Sequence, residues 1–428
     1  MIANLPQHPD RDLLAGELHA RPPLPLETPV AISRLANLSE PGQPRGAAAE
    51  HLGLLCRRYG VAPPAPAADF FLGDFGSFSL RYERHTEFDG YTFSRPFPEP
   101  PGADPFDETA IGAVPTDWLA AMPGKTLVAS HIAVVPTAGE DEPPPPGCFV
   151  PDNLAGASLN AGAATCWTDF RPGPDGFTRL LLQDHGMTPA LAGRLAQALW
   201  EIETYRMLAL LALPAARRAQ ASLGLASEEL AAIAERLPGL ASLDEERRAL
   251  EQLTSLATMI ERQAATTADR FSAARAYHAL VGRRLLLLRE QRLHGLPTLS
   301  EYLERRLDPA MATVDAANSR IGSLSTRCAR AVELLRARVA VAQEAQSQKL
   351  LAAMADTGRA QLRLQETVEG LSVAAISYYV LSLLAYVLKP LPWEVFGLGG
   401  EAALAVLVPA VAAFVWIRMR RRRIRPMI

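Results

Sequence analysis

The run Glu83-Arg84-His85-Thr86-Glu87 sets two carboxylates and an imidazole at alternate positions. On an extended strand successive side chains point to opposite faces, so Glu83, His85 and Glu87 would share one face. Carboxylate, histidine and carboxylate form a donor set that suits a divalent metal or the movement of a proton near neutral pH. Side chains from one strand point parallel rather than converging, so a salt-bridged sheet face accounts for the same pattern. A second ionisable cluster, Glu17-Leu18-His19-Ala20-Arg21, runs into Pro22-Pro23. Its His19 and Arg21 would line a pocket or sit in a loop docked on a sheet. His278 falls between Ala274 and Val281 on an apolar helical seam, where a hydrogen-bonded core histidine is expected rather than a ligand. The sequence holds no G-x-S-x-G, H-E-x-x-H, phosphate-cradling or dinucleotide-binding pattern. Asp74-Phe75-Gly76 reads as a turn. No catalytic residue is assigned and no cofactor or metal is indicated by a specific motif, so an enzyme is not the leading expectation.

Composition sets the remaining bounds. The 428 residues suffice for about two or three domains. A hydrophobic fraction of 49% with 21% charged residues is ordinary for a globular chain. The net charge of -3 excludes a chain-wide polyanion binder, and no surface interleaves aromatic and basic residues, so nucleic acid is not an expected partner. Cys56, Cys148, Cys166 and Cys328 show no C-x-x-C pairing, which fits a reducing compartment. Met1 to Pro6 has no basic stretch leading into an apolar run, and no signal peptide is predicted.

The elements that must position these residues change character near residue 188. Residues 1–187 are rich in Pro and Gly, with alternating β-like runs, and predict an α+β cytoplasmic domain built on an antiparallel sheet. Gly76–Glu83 and Phe88–Ser94 form one hairpin turning at Glu87–Gly90; Ala163–Phe170 and Phe177–Gln183 form another; Leu127–Val135 is a further strand. Short helices are expected at Pro29–Leu38 and Ala48–Tyr59. Residues 188–366 predict a helical, coiled-coil stalk. Thr188-Pro189 caps a helix running to Pro214, and Ser242 with Glu245 is a capping box opening a long helix. Its apolar seam includes Leu253, Ile260, Phe271 and Val281. Gly295-Leu296-Pro297 ends that helix and Thr298 with Glu301 caps the next segment. A third helix from about Asp308 carries a seam from Val314 to Ala342, with a stutter between Cys328 and Val332. The two long helices would run antiparallel.

Residues 367–418 predict a transmembrane hairpin. Gly370–Leu388 carries no charge and matches the roughly 20 residues a bilayer core requires. Ala402–Ile417 is a shorter second run containing Pro409, and a single span followed by a buried or interfacial helix is the alternative. Arg418, Arg420, Arg421, Arg422, Arg423 and Arg425 form a basic cytoplasmic tail, 419–428, that fixes topology or meets anionic lipid headgroups. With Arg359 and Arg363 ahead of the first run, the positive-inside rule places both termini in the cytoplasm, beneath an inner membrane. The expected partners are the lipid bilayer and further copies of the chain, through stalk and spans.

Glu17–Pro23, Arg81–Phe88 (R-Y-E-R-H-T-E-F) and the C-terminal hairpin resemble an uncharacterised bacterial family of predicted membrane-anchored proteins, domain of unknown function 3422, over essentially the whole chain. That resemblance implies no activity, substrate or catalytic residue. The layout is also similar to CorA-type magnesium channels. Those channels carry Gly-Met-Asn at the outer end of the first span, where this chain reads Lys389-Pro390-Leu391-Pro392-Trp393. The leading expectation is a non-enzymatic, self-associating scaffold or sensor anchored in the membrane. A divergent ion channel with Glu401 as an outer cation-attracting ring is the alternative, and a tethered metal-dependent enzyme using Glu83, His85 and Glu87 is a second one.

Overall fold

A computed structural model describes residues 8–11, 23–40, 42–44, 46–65, 68–97, 104–137, 143–240, 242–388 and 400–423, without the side chains of 388, 400–404, 407 and 418–423. The chain forms two compact units, one of residues 1–238 with 251–332 and one of 239–250 with 333–428.

The first unit is organised by β1 (Val30–Leu38), which pairs antiparallel with β4 (Phe88–Pro96) on one side and β5 (Lys125–Pro136) on the other. This stretch was expected to be a helix. Its Ala, Leu and Arg are good helix formers, but Val30, Ile32, Arg34 and Ala36 alternate with Ala31, Ser33, Leu35 and Asn37, and all eight are buried. A central strand covered on both faces loses the polar–apolar alternation by which strands are recognised. Around it, β2 (Phe70–Asp74), β3 (Ser79–Arg84), β6 (Ala155–Leu159), β7 (Ala164–Pro172), β8 (Thr178–Asp184) and the two-residue β9 (Gln291–Arg292) complete a nine-stranded sheet ordered β2-β3-β4-β1-β5-β8-β7-β6-β9. Both expected hairpins are present and antiparallel. The sheet as a whole is mixed, because β5 and β8 run parallel. Two antiparallel blocks, β2-β3-β4-β1-β5 and β8-β7-β6-β9, abut at that joint, and the loop, β6 and β7 between β5 and β8 supply the long connection that a parallel pair requires.

One face carries an aromatic core. Phe78, Tyr82, Tyr91 and Phe93 pack beneath α1 (Ala47–Tyr59) and Trp118 of α2 (Thr116–Ala120). The His51 and Trp118 rings stack at 4.6 Å, and each residue bonds the other's carbonyl through a ring N–H at 2.9 Å, which locks the two helices together. The opposite face is covered by α3 (Pro189–Leu210), where Trp200 lies over Arg34. Thr188 caps α3 as expected, its hydroxyl accepting from the Leu191 amide at 3.3 Å. The helix stops at Leu210 and α4 (Leu213–Arg236) restarts with Pro214 in its first turn, where a missing N–H costs nothing. A β-carbon on Gly193 would lie 1.9 Å from the Leu24 carbonyl oxygen, so glycine lets the incoming chain cross α3 closely.

The helix α5 (Leu243–Leu288) opens with the expected box: Ser242 N–H donates to Glu245 and the Glu245 amide to Ser242 Oγ, at 3.1 and 3.3 Å. Thr298 and Glu301 do the same for α6 (Leu299–Leu388), which therefore begins before Asp308 and carries Pro309 within it. In the first unit Cys328 meets Leu253 and Arg275 meets Asp315, while His278 bonds Asp308. The pairs ascend on one helix as they descend on the other, so α5 and α6 are antiparallel there. Leu253, Ile260, Phe271 and Val281 on α5 and Val314, Ile321 and Leu324 on α6 are all buried. His278 is hydrogen-bonded as expected, to Asp308 at 2.9 Å, but it is not a core residue; its side chain is about a third exposed, 36%.

In the second unit, α6 is long and apolar enough to cross a membrane, with an 18-residue window of mean hydropathy 1.7 that is nowhere buried. The last helix, α7 (Gly400–Arg423), has a shorter apolar run, Val408–Ile417. One helix of spanning length is thus present among the described residues, where two spans were expected; the turn at 389–399 lies outside them.

Candidate functional site

The polar residues of the sheet gather on the α3 face. Register places Leu72, Arg81, Thr92, Arg34, Ser130 and Thr178 in one transverse row from β2 to β8. Glu83 lies one step along, opposite Gly90. Its carboxylate accepts from Arg81 Nη2 at 2.6 Å and Arg34 Nη1 at 3.2 Å, and Arg34 also donates to Thr92 Oγ1 at 2.7 Å. All three charged side chains are buried, 5% exposed or less. Gly90 is required: a β-carbon there would stand 2.2 Å from Arg34 Nη2. Burial alone would raise the Glu83 pKa, but the two guanidiniums outweigh it and hold the carboxyl below its ordinary range. Burial pulls Arg34 below its usual value, with Glu83 opposing. A small cavity of about 40 Å³ lies beside Arg81, Ser79, Thr92 and Ser94 under Trp200, large enough for a water molecule.

The expected one-faced set therefore comes apart. β3 ends at Arg84, and the chain turns through His85–Glu87 rather than at Glu87–Gly90. Glu83 is in the buried row, whereas the His85 ring stacks on Phe88 at 4.1 Å. Glu87 accepts from Arg270 Nη2 and from the Tyr277 hydroxyl, each at 3.1 Å, joining the turn to α5. The alternation rule fails because it needs a strand through Glu87 and the strand is three residues short. Among the described residues no three His, Cys, Asp or Glu side chains are close enough to share a metal ion. His19, Arg21 and Arg425 lie outside the described residues, as do the side chains of Glu401, Arg418, Arg420, Arg421, Arg422 and Arg423.

A constellation that sequence reasoning missed occupies the other face. His131 on β5 is buried, with Nδ1 2.9 Å from Ser33 Oγ and Nε2 3.7 Å from Asp175 Oδ2. Its ring stacks on Phe177 at 4.1 Å. Ser33 Oγ also accepts the Ile111 amide at 3.1 Å. Serine, histidine and aspartate are the parts of a nucleophilic triad, but Ser33 is fully buried and sandwiched in the sheet. The arrangement fastens β1 to β5 and to the turn before β8. The available signal was a lone histidine in an apolar strand run; its serine partner was hidden by the helical reading of Pro29–Leu38. A separate groove of about 640 Å³ runs over α1, between His51, Leu54, Arg57, Pro63 and Pro64. None of the paired charges above reaches it, and the His51 ring is already committed to Trp118.

Across the whole chain, residues 6–425 match one protein family, described as "Protein of unknown function (DUF3422)". No curated protein and no solved structure matches.

Proposed function

The chain belongs to the DUF3422 family, whose description names no activity, and we propose from the molecule itself that it is a membrane-anchored scaffold or sensor, holding its α/β domain at the cytoplasmic face of an inner membrane. The observation that carries this reading is the end of α6. Leu371, Tyr378, Tyr379, Leu383, Tyr386 and Val387 are all exposed there, in a window with no buried residue. Apolar surface of that extent is disfavoured in water at roughly 25 cal/mol per Å², and a bilayer core removes the penalty over about 20 residues. Arg359 and Arg363 ahead of the run, and the arginines that close the chain, favour both flanks on the cytoplasmic side. A scaffold or sensor fits better than an enzyme because the ionisable groups gathered on the sheet are engaged with one another: Glu83 with two arginines, Glu87 with Arg270 and Tyr277, His131 with Ser33.

The test is fractionation of the full chain beside a version ending at Glu369. The full chain is expected in the membrane pellet after alkaline carbonate washing, and the shortened chain in the supernatant. A full chain released by carbonate, or a shortened chain that still sediments with membranes, would overturn the anchor.

A further inference from the structure

The second unit contains a helical seam whose intramolecular partner ends early. Where α5 begins, Ala249, Leu335 and Val339 are buried and Arg338 pairs with Glu246 at 3.1 Å. α5 starts at Leu243, yet α6 continues. From Val339 the same face proceeds through Ala342 and Gln346 to Leu350, a three-four-four spacing that keeps a straight helix facing one way. It then settles into strict heptads: Leu350, Met354, Thr357, Gln361, Leu364, Val368 and Leu371 follow one another at alternating steps of four and three. The apolar members of this stripe are between 56% and 73% exposed.

The charges obey the same frame. With Met354, Gln361 and Val368 at the a positions and Leu350, Thr357, Leu364 and Leu371 at d, every charged residue between 350 and 371 falls at b, c or f, facing away from the seam: Asp356, Arg359, Arg363, Glu366 and Glu369. Arg359 and Asp356 are paired with each other along that outer surface, at 3.2 Å. The flanking e and g positions include Ala353, Gly358, Ala360 and Thr367, which allow close approach. Leu at three of the four d positions and Val368 at one a position suit a two-stranded pairing, and Gln361 at a sets one polar layer in the seam.

We infer that residues 350–371 of α6 pair with the same residues of a second copy, as a parallel, in-register two-stranded coiled coil that runs into the start of the membrane segment. The occupant is a second copy because the stripe continues an interface already formed within the chain. The parallel direction rests on the anchored reading above, since two copies inserted the same way present this segment in the same orientation.

The experiment is oxidative cross-linking of the full chain in native membranes, using single substitutions Thr357→Cys and Leu364→Cys on the seam and Arg359→Cys and Glu366→Cys on the outer face. The four native cysteines are buried, so the unsubstituted chain is the blank. Disulfide formation needs α-carbons within about 7 Å, so seam cysteines are expected to give dimer at about tenfold the outer-face yield. Thr357→Cys is a smaller change than Leu364→Cys, at a polar seam position, which protects the result against a folding defect in the leucine substitution. Equal yields at all four positions, or no dimer at either seam position, would overturn the pairing. Carbonate fractionation of the same samples separates the two readings: seam-specific dimers in the supernatant would retain the coiled coil and remove the anchor, whereas membrane-bound chains without seam-specific dimers would do the reverse.

Discussion

Glu83→Ala is expected to cost about 3–5 kcal/mol of folding stability, because it removes the carboxylate that the buried Arg34 and Arg81 guanidinium groups both bond. A domain's whole margin is about 5–15 kcal/mol, so the variant should be close to unfolded at ambient temperature. The loss should greatly exceed the worth of the bonds themselves. Most of it is the penalty for leaving charge in a site that Trp200 and the sheet shield from water. Glu83→Gln should be milder, since its amide oxygen still accepts one bond but supplies no countercharge. Arg84→Ala, one residue along, should cost less, because its partner Asp69 is largely exposed and can be hydrated in its absence. Urea unfolding of the full chain in mild detergent, followed by tryptophan fluorescence, would check all three. An Ala variant at position 83 no less stable than the Arg84 variant would mean that the row tolerates an unpaired charge.

That contrast marks how far the sequence could be read. Glu83 was identifiable as chemically loaded, but its partner Arg34 lies in a stretch whose composition favours helix and whose burial on both faces erases alternation. Once Val30–Leu38 is a strand, register alone brings Arg34 beside Thr92 and within reach of Glu83. Local signals fared better, because caps and hairpins depend only on neighbours: Thr188, Ser242 with Glu245, Thr298 with Glu301, and both antiparallel pairs are where spacing puts them. The parallel joint between β5 and β8 depends on residues some fifty positions apart along the chain and leaves no local mark. His278 was misjudged for a related reason. Heptad spacing put it on the seam, while its ring bonds Asp308 at the part-exposed rim.

Acidification supplies a second large effect, through His131. Burial lowers its pKa from the ordinary 6.5 to about 4, with Asp175 opposing and Arg179 reinforcing. The folded state therefore refuses a proton that the unfolded chain accepts below pH 6.5. Stability should decline as pH falls from 6.5 towards 4, by roughly 1.4 kcal/mol per pH unit and about 3 kcal/mol in all. His51, also lowered by burial with the Trp118 carbonyl opposing, adds a contribution of the same sign. Asp89 and Glu290, whose pKa values burial raises, contribute with the opposite sign. Glu83 acts in a lower window, since a depressed carboxylate withdraws its stabilisation only as pH falls below its unfolded value of 4.5. His131→Asn separates these terms: the amide can still meet Ser33 but does not titrate, and the other groups are unchanged. The variant should lose some stability at pH 7 and show a distinctly shallower decline between pH 6.5 and 4. Unfolding midpoints that fall equally in both proteins would remove His131 as the source. A decline distinctly steeper in the unsubstituted chain than in the variant would identify His131 as its main source.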